Sequence, residues 1–127
     1  MEELFFIAAL AFLFTHELDA VHRHEWRILP LLERLNDERG RIVFVLAHIP
    51  LFALIVRLGF PASPGDPTPF RAIFAAFCVV HAGLHSLYER HPKYEFNNRW
   101  SRLLIYGAAV FGALYLVLSI PPLRNLS

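Results

Sequence analysis

Four long apolar segments set the limits on what this chain of 127 residues can fold into. Each segment, at about 1.5 Å of helix rise per residue, crosses most or all of a hydrocarbon core about 30 Å thick. The chain is 56% hydrophobic and has 12 phenylalanines, which is more apolar surface than one small soluble core could bury. The sequence therefore predicts a single all-α integral membrane domain over residues 1–127, an antiparallel bundle of four transmembrane helices. The predicted helices cover Leu4–Ala20, Ile42–Phe60, Phe70–Leu87 and Leu103–Ile120.

Basic residues collect on one side of the predicted bundle. The loops after the first and third segments hold nine lysines and arginines, whereas the opposite side holds three. Because cytoplasmic loops are enriched in lysine and arginine, this bias predicts a multi-pass protein of the bacterial inner (cell) membrane with both termini outside. The net charge of +1 provides no basic surface for nucleic acid, so no nucleic-acid partner is expected.

The two sides of the bundle differ in their connections. After Pro30, leucines oppose charged residues, a pattern that predicts a short interfacial helix in the first cytoplasmic loop, ended by Gly40. On the outer side, no spanning helix can continue through the prolines at positions 61, 64, 67 and 69.

Six of the seven histidines lie within or just after the first three apolar segments. Because successive segments cross in opposite directions, all six come close to the same face of the membrane. Counted from the flanking arginines, His16, His48, His81 and His85 lie about 10, 10, 13 and 8 Å deep along the helix axes. Ionisable side chains inside a bilayer are costly and usually mark a functional site, and imidazoles with carboxylate neighbours suggest a bound metal.

Spacing within the helices indicates which side chains would share an ion. His81 and His85 are four residues apart, so both rings lie on one helical face and can chelate. Asp19 and His22 have the carboxylate and imidazole spacing of metal sites in helical bundles. His24 and Glu25 are expected to continue the polar run into water. The predicted ligands of a transition metal, zinc or iron as one or two ions, are His16, Asp19, His22, His48, His81 and His85.

Structural roles remain open for several of these residues. His48 could simply donate a hydrogen bond between helices. His22 lies near a loop, where polar residues are ordinary, and Glu17 or Asp19 could pair with Arg23.

The segment His91–Trp100 is too polar for an accidental short linker. We expect it to cap the metal site from the cytoplasm, because outer partners orient the imidazoles of metal sites. The side chains available for that role are Glu89, Glu95, Asn97 and Asn98.

The run His16-Glu17-Leu18-Asp19 carries a resemblance to known families. Together with four short spanning helices and histidines on the second and third, it resembles uncharacterised bacterial membrane families with a His-x-x-acidic motif, such as the HXXEE family. Here the motif reads His16-x-x-Asp19-Ala20, without that family's paired glutamates. The histidine pairs are also similar to those of membrane fatty-acid desaturases and hydroxylases, although the multiple His-x-x-His-His boxes are absent. Neither resemblance implies a substrate.

These patterns favour a metal-dependent integral membrane enzyme, a hydrolase with zinc or an oxidoreductase with iron. Its substrate would be a membrane lipid or another hydrophobic small molecule that enters sideways from the bilayer, with Glu17 or Glu89 as the general base. A second hypothesis is an electron carrier that binds haem b between two histidines on facing helices. A third is a metal or proton transporter, although the outer half of each segment is dry apart from Arg57. The sequence leaves the oligomeric state open, and a homo-oligomer is compatible with it.

Overall fold

The computed structural model describes residues 1–60 and 69–119, and this part of the chain is helical without strands. Its long helices are α1 (Glu2–His22), α2 (Asp37–Gly59), α3 (Pro69–Tyr88) and α4 (Arg99–Leu118). All four are long and apolar enough to cross a membrane, which confirms the predicted all-α fold with four transmembrane helices. The predicted outer-loop prolines at 61, 64 and 67, the end of the fourth segment at Ile120, and Arg124 lie outside the described residues.

Contacts between the helices give their directions. Phe14 of α1 packs on Phe52 of α2 with 4.3 Å between ring centroids, and Glu17 of α1 lies 2.9 Å from His48 of α2. Since the numbers rise along α1 as they fall along α2, the two helices are antiparallel. α1 is parallel to α3, because Phe6 contacts Phe74 and His16 contacts His81. It is antiparallel to α4, because Phe5 contacts Phe111 and Asp19 contacts Ser101.

The core of the bundle lies between α1, α3 and α4. Phe6 of α1 is fully buried, and its ring packs against Phe74 of α3 and Tyr115 of α4, 5.5 and 6.0 Å away between centroids. α3 and α4 approach so closely that a Cβ on Gly112 would lie 2.7 Å from the carbonyl oxygen of Ala75. α2 is the least buried helix and leaves most of its apolar side chains exposed, as a helix facing lipid does.

The first inner loop contains a shorter helix than the sequence predicts. A single 3₁₀ turn, Leu32–Arg34, follows Pro30, and the prediction that this helix runs to Gly40 is wrong. The reason is the side chain of Asn36, whose oxygen accepts a hydrogen bond from the Arg39 backbone N–H at 2.9 Å and so begins α2. Gly40 lies in the first turns of α2, where a Cβ would come within 2.8 Å of Trp26.

Candidate metal centre

Three histidines from two helices meet in the interior of the bundle. His81 and His85 stand on one face of α3 with 4.6 Å between ring centroids, as their spacing of four predicts. Because α1 runs parallel to α3, His16 reaches the same level, and its ring centroid lies 5.0 Å from each of the other two. All three side chains are buried.

Glu25 joins the histidines from the loop after α1. The backbone of His24 adopts the left-handed conformation (φ 56°, ψ 44°), which turns the 3₁₀ segment Glu25–Arg27 back towards the bundle. The residue Glu25 is only 8% exposed, and its carboxylate has Oε2 3.6 Å from His16 Nε2 and Oε1 3.7 Å from His85 Nε2. The prediction that Glu25 extends into water is therefore wrong, and no helical spacing in the sequence links it to His16.

The four side chains form the cluster that we call the His₃Glu cluster: His16, Glu25, His81 and His85. One ligand atom from each lies within 4.8 Å of the other three. Within the described part of the chain, both ring nitrogens of His16, Nδ1 of His81 and Oε2 of Glu25 are buried without a hydrogen-bond partner. Buried polar atoms left unpaired are rare and costly, and a cation at the centre would satisfy one ring nitrogen of His16 and the Glu25 oxygen.

The electrostatics of the His₃Glu cluster also favour a cation. Burial, together with the negative charges of Glu17 and Asp19, raises the pKa of Glu25 to about 8, while His48 opposes the shift. A carboxylate in this environment is costly unless a positive charge lies beside it. A metal ion would supply that charge and keep Glu25 ionised.

The segment between α3 and α4 covers the His₃Glu cluster with aromatic side chains. The Tyr94 hydroxyl lies 3.1 Å from His85 Nδ1, and the Phe96 ring packs 4.9 Å from His85 and 5.5 Å from His16 between centroids. Burial raises the pKa of Tyr94, so the phenol stays protonated. The orienting partner of an imidazole is thus Tyr94, whereas the sequence predicts Glu89, Glu95, Asn97 or Asn98 for that role.

Ion pairs hold the two inner loops together over the cluster. Arg27 Nε donates to Asp37 Oδ1 at 2.7 Å, and Arg27 Nη1 lies 3.4 Å from Glu95 Oε1. His24 Nδ1 lies 3.0 Å from the other oxygen of Glu95. Glu95 therefore joins the loop after α1 to the loop after α3, on the side of the cluster away from the membrane centre.

An apolar cavity of about 280 Å³ adjoins the His₃Glu cluster. Glu25, His81 and His85 form the polar part of its wall. The rest of the wall is Ile28, Leu29, Pro30, Leu84 and Tyr88. Leu84 is 46% exposed, so the cavity borders the surface of the bundle that lipid would cover.

Asp19 and His22 lie outside the His₃Glu cluster. Asp19 accepts a hydrogen bond from Ser101 Oγ and lies 3.3 Å from Arg23 Nε. Ser101 in turn accepts a bond from the side chain of Asn98, which caps the start of α4. Asp19 therefore fastens α1 to the beginning of α4, and His22 is exposed at the end of α1.

Glu17, His48 and Glu89 also lie outside the cluster. Glu17 Oε2 is 2.9 Å from His48 Nε2, and His48 Nδ1 lies 2.7 Å from the carbonyl oxygen of Phe44. This pair borders a separate groove of about 270 Å³ between α1 and α2. Glu89 Oε1 is 3.6 Å from Arg102 Nη2. Of the six predicted ligands, the structure brings together His16, His81 and His85.

The chain belongs to a family of unknown function (DUF6713), whose family model matches residues 2–121. No curated protein and no solved structure matches it. Membership of an uncharacterised family is thereby confirmed, whereas the bacterial source and the His-x-x-acidic signature stay predictions. The function therefore has to be inferred from the residues of this chain.

Proposed function

We propose that this member of the family is a metal-dependent integral membrane enzyme that acts on a lipid or another hydrophobic small molecule. One observation carries the proposal: four donor side chains converge at the wall of an apolar cavity. The His₃Glu cluster would hold the ion, and the cavity would bring the substrate to it.

The donor set suits one zinc or iron ion. Three imidazoles and a carboxylate are nitrogen and oxygen ligands that both metals accept. Ligands at about 2.0–2.2 Å from one ion lie at most about 4.4 Å apart. The four donor atoms here are within 4.8 Å of one another, so small side-chain movements would bring them to that distance. Haem takes one axial imidazole on each side of the ring, whereas His81 and His85 stand on the same face of α3, which favours an ion over the haem alternative.

Glu25 is the donor best placed to take part in chemistry. Catalytic zinc sites keep three protein ligands and an open position, and the three histidines would supply those ligands if Glu25 gave up its place beside the ion. Glu25 would then be within reach of a molecule bound at the ion, as a general base requires. It replaces Glu17 and Glu89 in that proposed role, because those two carboxylates are engaged with His48 and Arg102. A zinc ion would supply Lewis acidity for hydrolysis, and an iron ion would supply oxygen chemistry.

The surroundings of the cavity support a substrate that arrives through the bilayer. Leu84, Leu87 and Leu31 are 46, 78 and 79% exposed, so the surface beside the cavity is apolar. Lipid covers such a surface in a spanning bundle, and a hydrophobic molecule can reach the cavity without crossing water. In a homo-oligomer, a second copy of the chain would replace lipid over part of the exposed face of α2.

The distribution of basic residues supports a location in the bacterial inner membrane with both termini outside. The two loops that flank the His₃Glu cluster, together with the helix ends beside them, carry nine of the 12 lysines and arginines. The cluster would therefore lie near the cytoplasmic surface.

The enzyme activity can be tested on a total bacterial lipid extract in mixed micelles. Purified protein is incubated either with zinc or with ferrous iron, oxygen and a reductant, and the lipids are compared by mass spectrometry before and after. We expect a lipid species to be converted by the wild type and not by His81→Ala, with His48→Ala as the control that keeps the activity. If no lipid changes under either metal condition, the enzyme proposal fails.

A further inference from the structure

We propose that the substrate is an anionic glycerophospholipid, bound with an acyl chain in the cavity beside α3 and with the ester-proximal part of that chain facing the His₃Glu cluster. This inference rests on the proposed function and names its substrate class.

The depth of the cluster selects the reacting part of the lipid. α3 has 20 residues, so it is about 30 Å long, the thickness of the hydrocarbon core. Tyr88, its last residue, therefore lies near one surface of that core. His85 and His81 are three and seven residues deeper, or about 5 and 10 Å. One leaflet's hydrocarbon is about 15 Å thick, so the cluster faces the upper part of the acyl chains and not their ends.

The size and lining of the cavity fit part of one acyl chain. A volume of about 280 Å³ lies at the lower limit of ligand pockets, which range from about 300 to 1,000 Å³, and is too small for a whole phospholipid. Its wall beyond the cluster consists of Ile28, Leu29, Pro30, Leu84 and Tyr88, which are apolar except for one hydroxyl. The head group would therefore remain outside, at the level of Tyr88 and the inner loops.

Two exposed arginines that follow cavity residues in the chain favour a negatively charged head group. Arg34 and Arg90 come four and two residues after the cavity residues Pro30 and Tyr88, and both are exposed. Neither forms an ion pair with any carboxylate in residues 1–60 and 69–119, whereas Arg27 and Arg102 do. Unpaired arginines beside a spanning helix attract anionic lipids.

Photo-crosslinking in vesicles tests the inference without a known reaction. The protein is reconstituted in phosphatidylcholine vesicles that contain a trace of phosphatidylglycerol or phosphatidylcholine bearing a diazirine either near the ester or at the chain end. Labelled peptides are then mapped by mass spectrometry. We expect the ester-proximal phosphatidylglycerol probe to label Leu29 and Leu84 roughly tenfold more than the matching phosphatidylcholine probe, since two arginines contribute to the difference.

Matched variants separate the cavity and the head group. Leu84→Trp fills the cavity and should lower labelling of Leu29 at least about fivefold. This factor corresponds to about 1 kcal/mol of binding free energy. Val80→Trp, at a 59% exposed position of α3 outside the cavity wall, should leave the labelling of Leu29 unchanged. The double variant Arg34→Gln, Arg90→Gln should bring phosphatidylglycerol labelling down to the phosphatidylcholine level.

Three results would overturn the inference: equal labelling by both head groups in the wild type, stronger labelling of Leu29 by the chain-end probe, or unchanged labelling in Leu84→Trp. Zinc and iron are measured in the same vesicles. Bound metal without cavity labelling contradicts the lipid assignment alone. Labelling without any bound metal supports the lipid assignment and contradicts the proposed function.

Discussion

His16 Nε2 and Glu25 Oε2 lie 3.6 Å apart in the interior of the bundle, and neither atom has a hydrogen-bond partner among the residues that the structure describes. Hydrogen bonds between such groups are about 2.7–3.2 Å long, so this separation leaves both atoms unsatisfied. An ion between them would satisfy both at once. The pair thus links a spanning helix to the inner loop at the point where we propose the metal.

Removal of any one donor should weaken metal binding sharply. We expect His16→Ala, Glu25→Ala, His81→Ala and His85→Ala each to lower metal affinity more than about 100-fold, because the loss of an outer partner alone costs about 10–100-fold. The measurement is zinc and iron bound per protein, determined by elemental mass spectrometry after purification in mild detergent.

His48→Ala is the matched control for this series. It removes an imidazole that pairs with a carboxylate outside the His₃Glu cluster, at 2.9 Å. It should keep the metal content of the wild type. Wild-type protein without metal, or normal metal in both His81→Ala and His85→Ala, would make hydrogen bonding between helices the better account of these histidines.

Tyr94→Phe should weaken metal binding without abolishing it. The Tyr94 hydroxyl lies 3.1 Å from His85 Nδ1 and fixes the ring so that Nε2 points at the cluster. Loss of such a partner typically costs roughly 10-fold or more in affinity. Competition with a fluorescent zinc chelator measures the change, and Tyr88→Phe, which leaves this contact intact, is the control. Equal affinities for the two variants would show that Tyr94 acts by packing alone.

The fold follows from the sequence because apolar length alone specifies spanning helices, and each helix begins and ends within five residues of its predicted bounds. His81 and His85 follow for a similar reason, since helical periodicity places residues four apart on one face. The position of Glu25 does not follow from the sequence, because its burial depends on the left-handed turn at His24 and on the packing of Trp26 against α2. The role of Phe96 cannot be predicted either, because in the sequence it is one more apolar residue in a loop.

Asp19 shows the limit of spacing arguments. Its three-residue step to His22 suits a metal ligand, yet the carboxylate has a closer partner in Ser101 on α4. Helical periodicity gives the face on which a side chain stands and not the neighbour that it meets. The partners of Glu17 and Glu89 cannot be predicted from spacing for the same reason.

Glu25→Gln should separate the cost of a buried charge from the gain of a bound ion. Without metal, at neutral pH, we expect the variant to unfold at a higher temperature than the wild type. Burial raises the pKa of Glu25 to about 8, so folding must protonate this carboxyl, whereas a neutral amide needs no proton. With zinc at about 100 times its Kd, the wild type gains roughly 2.7 kcal/mol that the variant lacks, which should reverse the order. Thermal unfolding in detergent, with chelator and with zinc, measures both. The same order under both conditions would contradict Glu25 as a ligand.

Gly112 and Gly83 form a matched pair for the packing of the bundle. A Cβ at Gly112 would lie 2.7 Å from the Ala75 carbonyl oxygen, and backbone cannot move aside, so Gly112→Ala should destabilise the protein by about 1–3 kcal/mol. A Cβ at Gly83 meets no atom within 4 Å, so Gly83→Ala should stabilise α3 by about 0.5–1 kcal/mol. Unfolding temperatures in detergent check both. A Gly112→Ala protein as stable as wild type would rule out the close contact of α3 with α4.

The orientation in the membrane decides which compartment the His₃Glu cluster faces. Because cytoplasmic loops collect lysine and arginine, a reporter fused after Ser127 should report the outer compartment, and one inserted near Asn36 should report the cytoplasm. Leu31→Cys gives a second measurement, since this side chain is 79% exposed whereas the native Cys78 is buried. A membrane-impermeant maleimide should label Leu31→Cys in inverted vesicles and not in intact cells. The opposite labelling pattern would place the cluster near the outer surface and move the proposed reaction to the outer leaflet, while leaving the ligand set unchanged.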